Sequence, residues 1–298
     1  LDIRRTGNTL HADQASLYAL GGELWAKDIL RKDLKSDKND NELIDTLDEN
    51  WAKTLPPTPI EGGQISGNIE DLQARFNLNN LYKEPSGDQD LEENKPIIDA
   101  DLEYFKRLLR ILELEEQLAQ AIADWIDPDT NARFPDGSED IEYLNMQIPY
   151  RTGNTRMASP SELRLIKGVT REVYKKLVPF VSTLPEYTPI NVNTASAEII
   201  AALPDETDIT LANNLIEERD DSPFIDKNTF ITSLSLNEEN SKEDKLEGLK
   251  KLISISSHYF LLNGNVEIGT NQLRLSSMIE RTDDGKAYVL TRSSGAYY

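Results

Sequence analysis

The chain opens with apolar residues at helical spacing. Leu10, Leu17, Leu20 and Leu24 fall on one stripe, with Tyr18, Trp25 and Ile29 beside it, so a helix is expected over residues 6–34. At about 100° per residue these positions span roughly half the circumference, more than one core contact needs. A deeply buried helix fits this width, and so does a helix that packs on its own domain and on a partner. Gly21-Gly22 costs roughly 1 kcal/mol of helix propensity per glycine relative to alanine and permits close approach of another backbone. Residues 35–50 read as a charged loop that turns helical around Leu43, Ile44 and Leu47. Pro56-Pro57-Thr58-Pro59 reads as a stiff connector. The period then falls to two, and Gln64 to Asn68 with Leu72 to Leu78 form an expected hairpin, its second strand alternating Leu72, Ala74, Phe76 and Leu78 with polar residues.

Helical spacing then dominates. Lys83 to Lys95 is a polar, acidic loop, and residues 97–126 give one long helix through Ile98, Leu102, Phe105, Leu108, Leu109, Leu112, Leu118, Ala121, Ile122 and Trp125, with Asp99 as its cap. Ser159-Pro160-Ser161-Glu162 starts another helix as a capping box, and Gly168 ends it. A second helix from Arg171 to Val178, stopped by Pro179, completes a helix–hairpin–helix unit. A second such unit follows, with helices from Thr194 to Leu203 and from Ile209 to Arg219, and a short third helix around Phe224, Phe230, Ile231 and Leu234. From Ile253 the period returns to two, giving strands at Ser257 to Asn263, Asn265 to Met278 and Ala287 to Arg292, with Asp283-Asp284-Gly285 as the last hairpin turn. The expected architecture is α+β, a long N-terminal helix plus an antiparallel sheet, with a large all-α domain inserted between strands. Residues 1–82 and 255–298 form the helix-and-sheet domain, and residues 83–254 the inserted domain.

Candidate chemistry concentrates between the two helical regions. Residues 127–140 carry five carboxylates, Asp127, Asp129, Asp136, Glu139 and Asp140, on a segment that Pro128, Pro135 and Gly137 force to loop. Hard oxygen donors on a bending loop suit calcium, which accepts six to eight oxygens in flexible geometry. Asp127, Asp129 and Asn131 alternate like the first, third and fifth positions of a calcium loop. The segment is not an EF-hand, because Ala132 stands where that motif needs glycine and Glu139 falls one place late. Spacing by itself leaves a calcium loop and a solvated acidic loop, with Asp127 capping a helix, level with each other.

Composition narrows the classes. A net charge of −21, from 53 acids and 32 bases, opposes binding to phosphate backbones and favours cations. With no cysteine, thiol catalysis, disulfides and zinc–thiolate sites are excluded, and two histidines, His11 and His258, exclude a multi-histidine metal centre. No run of eighteen apolar residues is present, and the chain starts mid-helix without Met, which suggests a processed or truncated form.

Six short stretches of residues resemble the K class minor pseudopilins of type II secretion systems (general secretion pathway protein K). They are Ile69-Glu70-Asp71-Leu72-Gln73-Ala74-Arg75-Phe76-Asn77-Leu78-Asn79-Asn80-Leu81, Ala123-Asp124-Trp125-Ile126-Asp127 with Glu139-Asp140, and Ser161-Glu162-Leu163 with Lys167-Gly168-Val169 and Ile190-Asn191-Val192-Asn193-Thr194-Ala195. The resemblance runs through nearly the whole chain in order. It implies a pilin-like fold with a helical insertion, and a non-enzymatic protein of the periplasm of a Gram-negative bacterium, anchored in the inner membrane through an apolar N-terminal segment missing from this chain. It implies a place at the tip of the pseudopilus with the I and J class minor pseudopilins, and contacts with the H class, the outer-membrane secretin or an exoprotein as further options. It implies calcium in the helical domain, with Asp127, Asp129, Glu139 and Asp140 as ligands and Asn131 and Asn154 as further candidates. Partner contacts are expected along Leu10, Leu17, Leu20 and Leu24.

Two other classes compete. Helix–hairpin–helix proteins bind DNA with glycine amides and helix N-termini. Here the second hairpin, Leu203-Pro204-Asp205-Glu206-Thr207-Asp208, has no glycine and carries three acids where phosphate would sit, while the first keeps Gly168 beside Lys167. A carboxylate hydrolase needs two acids about 5–10 Å apart across a cleft. Carboxylates crowded on one loop are better placed to share a cation.

Overall fold

A computed structural model of the chain describes residues 2–82, 95–203, 207–236 and 242–295. The expected acidic loop from Lys83 lies outside the described residues until Lys95, as does the hairpin at Pro204, Asp205 and Glu206. The chain divides into two compact units, Leu1–Leu72 with Ser256–Tyr297, and Gln73–Ile255. The fold is α+β and pilin-like, with a helical insertion. The first boundary falls ten residues before the expected one, because the residues after Leu72 pack into the core of the helical unit.

The first unit is one helix on one sheet. Helix α1 spans Asp2–Asp40 and runs past the expected end at residue 34. It stops where Asn41 takes the left-handed conformation (φ 56) and Glu42 N donates to Asp37 O at 3.0 Å. The residues that follow turn without forming the helix expected around Leu43, Ile44 and Leu47. Asp45 is buried there, and Leu43 and Leu47 are left 51% exposed each. Strand β1 (Leu55–Ile60) takes up the proline-rich stretch expected as a connector. It is an edge strand, where missing N–H groups cost no ladder bonds. Strands β2 (Gly63–Asp71), β3 (Tyr259–Ile268), β4 (Asn271–Arg281) and β5 (Ala287–Ser294) complete an antiparallel sheet in the order β1-β2-β3-β4-β5. The helical insertion leaves the chain between β2 and β3, which are sheet neighbours paired from Gly63↔Ile268 to Asp71↔Phe260. The hairpin turn after β3 is at Gly269 (φ +58), and β3 runs on through the point between the expected strands Ser257 to Asn263 and Asn265 to Met278. Gly264 sits inside the strand opposite Gly67, where a β-carbon on Gly67 would come 2.6 Å from Asn263 O.

Small residues make the helix–sheet contact. Ala15, Ala19, Ala26 and Leu30 are buried against Val266, Ile268, Leu275, Phe260, Leu262 and Ile279. A buried leucine or phenylalanine of this kind contributes roughly 1.5–3 kcal/mol. Glu23 is buried in the same face and accepts from Arg292 Nε (2.6 Å), Arg292 Nη2 (2.8 Å) and Ser277 Oγ (2.9 Å). Arg292 holds its carboxyl below the usual range.

The second unit packs its helices around one core. The stretch expected as a single helix over 97–126 is broken into α2 (Lys95–Ile111) and α3 (Leu118–Ile126), so Asp99 lies inside a helix and is not its cap. Glu113 takes φ 53 at the break, and Arg110 spans it to both oxygens of Glu116 at 2.8 and 3.1 Å. Folding back lets Tyr104, Phe105 and Leu108 share one core with Leu118 and Ile122. A straight helix of the same length would stretch about 45 Å and separate them.

The expected strand Leu72 to Leu78 is not one. It forms 3-10 turns at Leu72–Ala74 and Leu78–Leu81 around a two-residue bridge, Phe76–Asn77 with Val181–Ser182. Buried Asn side chains decide this. Asn77 Oδ1 accepts from Leu184 N (2.9 Å), and Asn79 bonds Met157 N, Met157 O and Leu184 O at 2.8–3.0 Å. They satisfy buried backbone groups of distant loops, which alternation cannot foresee.

Helix α4 (Asp140–Leu144) follows the acidic loop. Ser159 caps a 3-10 turn, Pro160–Leu165, through the expected capping box, and Gly168 takes φ +87 before helix α5 (Arg171–Leu177). In the second helix–hairpin–helix unit α6 (Ala197–Ala201) starts later than Thr194, because Ile190–Asn191 bridges Ile253–Ser254 and residues 192–194 form a turn that Asn193 ties to Phe224. Helices α7 (Ile209–Asp221) and α8 (Lys227–Ser233) begin at caps Asp208 and Asp226. Helix α9 (Glu243–Leu252) is not among the expected elements, although Leu246, Leu249 and Leu252 fall at helical spacing.

Candidate metal centre and exposed helix face

The acidic loop is built around Asp124, on α3, whose carboxylate is fully buried. Its Oδ1 accepts from Arg133 Nη1 at 2.8 Å, and its Oδ2 from Arg133 N at 3.1 Å and Ser138 N at 2.8 Å. One side chain thus pins both arms of the loop. Gly137 N donates to Arg133 O at 2.7 Å and tightens the turn between them. Asp127 follows α3 directly and places its Oδ2 2.5 Å from Arg133 Nη1. Glu139 caps α4 through a reciprocal bond with Glu142. The Thr152 hydroxyl lies between Glu139 Oε2 (3.1 Å) and Asp140 Oδ1 (3.0 Å), tying the loop to the stretch of chain that follows α4.

Asp127, Asp129 and Glu139 each bring one carboxylate oxygen to within 4.8 Å of the others. Asp127 and Glu139 are buried, and each keeps one oxygen, Asp127 Oδ1 and Glu139 Oε1, without a hydrogen-bond partner. Asn154, in a left-handed conformation (φ 43), has a buried Oδ1 in the same condition. Burial pushes the Asp127 carboxyl up to about 6 and the Glu139 carboxyl up to about 7, each raised further by neighbouring acids and opposed by Arg133 or Thr152. A buried oxygen left unpaired beside other acids is costly unless a cation meets it. Hard oxygens are the donors calcium takes.

The other expected ligands stand differently. Asp140 turns its Oδ1 to Thr152 N and Oγ1 and places Oδ2 3.6 Å from Arg151. Asn131 is exposed and donates its backbone N–H to Asp129 Oδ1 at 2.7 Å. Sequence reasoning passes over Asp124, Arg133 and Thr152. Asp124 sits inside an apolar helical stripe, Arg133 opposes the charge pattern, and Thr152 carries no signal of its own.

On α1 five large apolar residues are left exposed. Leu10 is 62% exposed, Leu17 71%, Leu20 42%, Leu24 62% and Trp25 51%. An apolar groove of about 410 Å³ opens beside Trp25, lined also by Gly22, Trp51, Ile65 and Leu262.

Two models of the type II secretion system protein K family match this chain, over residues 74–186 and 190–249. A type II secretion system protein K of Pseudomonas aeruginosa is 36% identical across 99% of this chain and 85% of its own length. The chain belongs to the type II secretion system protein K family. The Aeromonas hydrophila protein K is 32% identical over 99% of this chain and 89% of its own. A solved structure, the GspK-GspI-GspJ complex from the type 2 secretion system of enterotoxigenic Escherichia coli, holds a chain of the same fold. It superposes with a TM-score of 0.80 at 27% identity, covering 98% of this chain and 99% of that one. No helix among the described residues is long and apolar enough to cross a membrane.

Proposed function

We propose that this protein K is a minor pseudopilin at the tip of the type II secretion pseudopilus, where it joins the I and J class minor pseudopilins to initiate the fibre and support export. It works in the periplasm of a Gram-negative bacterium, anchored in the inner membrane. The observation that carries this reading is the exposed stripe of Leu10, Leu17, Leu20 and Leu24 with Trp25 on a helix whose sheet contact is made by Ala15, Ala19, Ala26 and Leu30. Exposed apolar stripes on long helices mark protein contacts, and a related GspK chain was solved together with GspI and GspJ. Calcium, held by Asp127, Asp129, Glu139 and Asn154, braces the helical unit by neutralising carboxylates that would otherwise repel across the loop.

A DNA role draws no support from the second helix–hairpin–helix unit. The buried guanidinium of Arg219 donates to Val192 O (2.8 Å) and Ala195 O (2.6 Å), inside the unit. The deciding experiment is size-exclusion chromatography with soluble I and J class pseudopilins, in calcium and in chelator. Co-elution as one ternary species is expected. Folded components that run separately in both buffers would sink the assembly reading.

A further inference from the structure

Among the described residues the helical unit leaves seven large hydrophobics exposed, and four of them, Phe134, Ile141, Leu144 and Ile148, fall within one short stretch of chain. Phe134 is 93% exposed, Ile148 78% and Ile141 73%. Ile141 and Leu144 lie one turn apart on α4, and Ile148 follows one further turn's length along the chain. The segment that carries them is fixed from beneath. Tyr143 is fully buried, packs edge-on against Trp125 with 5.5 Å between ring centroids, and lies 5.4 Å from the Tyr150 ring. Tyr150 donates its hydroxyl to Leu165 O at 2.5 Å, and Lys167 N donates to the Tyr143 hydroxyl at 3.4 Å. With Tyr143 and Tyr150 anchored inward, the aliphatic residues beside them stay in water. A rigid, exposed aliphatic row marks a contact surface, because a partner that covers it has little side-chain freedom to take away.

The charge around this row selects what can cover it. Residues 127–151 carry six acids against two bases. Arg133 is taken up by Asp124 and Asp127, and Arg151 stands 3.6 Å from Asp140. Asp136 and Glu142 belong to neither set and lie outside the Asp127, Asp129 and Glu139 cluster, so their charge stands whether or not that cluster holds an ion. A second copy would bring the same acids on a chain of net charge −21, and an anionic membrane or a nucleic acid would be repelled in the same way. We propose that Ile141, Leu144 and Ile148, with Phe134 shortly before them in the chain, form a docking surface on the helical unit for a different protein, one whose apolar contact is ringed by Lys or Arg. The apolar row supplies the contact, and Asp136 and Glu142 set its charge preference. The surface belongs to a different unit from the α1 stripe and does not depend on the assembly reading.

The test is photocrosslinking in the cells that make the protein. Benzoylphenylalanine replaces Phe134 or Ile148 in turn, with the exposed Lys175 position as control, and crosslinked peptides are sequenced by mass spectrometry. Both positions are expected to capture one partner protein, well above the control, at a segment where Lys and Arg outnumber Asp and Glu. Asp136→Lys combined with Glu142→Gln should cut that capture by about tenfold. Glutamine keeps the capping box at the start of α4 while removing the charge, so the melting temperature of the purified double variant should stay close to that of the unaltered chain. Leu144→Ser should also cut the capture. Capture of a second copy of this chain, of lipid or of an acidic segment would overturn the proposal, as would capture no stronger than at Lys175. Capture that the charge variant leaves unchanged would overturn it as well, because the ring of bases is what these acids select.

Discussion

Gly137 lies so close to Asp124 that a β-carbon on it would stand 2.2 Å from Asp124 Oδ2. The same β-carbon would come 2.3 Å from Arg133 N and 2.5 Å from Arg133 O, and that backbone is itself held by Asp124. Nothing flexible can give way. Gly137→Ala is expected to destabilise the chain by about 1–3 kcal/mol in urea unfolding and to weaken calcium binding. Gly248, inside α9 with no atom within 4 Å of a built β-carbon, is the control; Gly248→Ala should raise stability by about 0.4–1 kcal/mol.

Calcium should raise the melting temperature of the unaltered chain. At a hundredfold excess over Kd the expected gain is about 2.7 kcal/mol. Glu139→Gln should abolish most of that gain, because it removes the charge from a buried oxygen with no other partner. Asp140→Asn should lose less, since its Oδ1 already accepts from Thr152. Scanning calorimetry with and without chelator separates the two. Equal losses would contradict a site in which Glu139 is a ligand and Asp140 is not.

Stability should depend on pH through the first unit. Burial pushes Asp33 up to about 7, Asp37 up to about 6 and Glu49 up to about 8, around Asp45 and Arg281. Arg281 donates to both oxygens of Asp45 at 2.5 and 2.6 Å and to Asp33 at 2.9 Å, so one guanidinium serves several acids. These acids keep their protons to higher pH folded than unfolded. Their contribution is complete below the unfolded value of about 4 and is lost as pH rises through 6 to 8. Glu23, held low by Arg292, acts in the opposite direction; its contribution is constant across this window and fades only as pH falls into the carboxylate range. Urea unfolding should show higher stability at pH 5 than at pH 8, and Glu49→Gln should flatten the upper part of the slope.

The outward leucines should matter to assembly and not to folding. Leu17→Gln and Leu24→Gln alter side chains 71% and 62% exposed, so stability should stay within about 0.5 kcal/mol. Retention with the I and J class partners on a sizing column should fall. Leu30→Ala, at a fully buried position, should instead cost about 2–5 kcal/mol.

The sequence by itself determined where periods change. Alternation located β2, β3, β4 and β5 at the two ends of the chain, helical spacing located the insertion, and caps such as Ser159 and the glycine at 168 marked real boundaries. It also placed the acidic loop, because proline and glycine punctuation and a run of like charge are local properties. What it did not carry were choices made by distant partners. The break between α2 and α3, the loss of a strand at Leu72 to Leu78 and the turn at Gly269 follow from which groups a folded core brings together. Hydrophobicity weights leucine over alanine, so the stripe on α1 was legible, but which face meets the sheet was not; close packing chose the small residues. Charge counting could gather five acids on a loop. Only the tertiary structure decided that Asp124 and Arg133 organise it, and which oxygens are left for an ion, because hydrogen-bond satisfaction is settled by geometry across the fold and not by spacing along the chain.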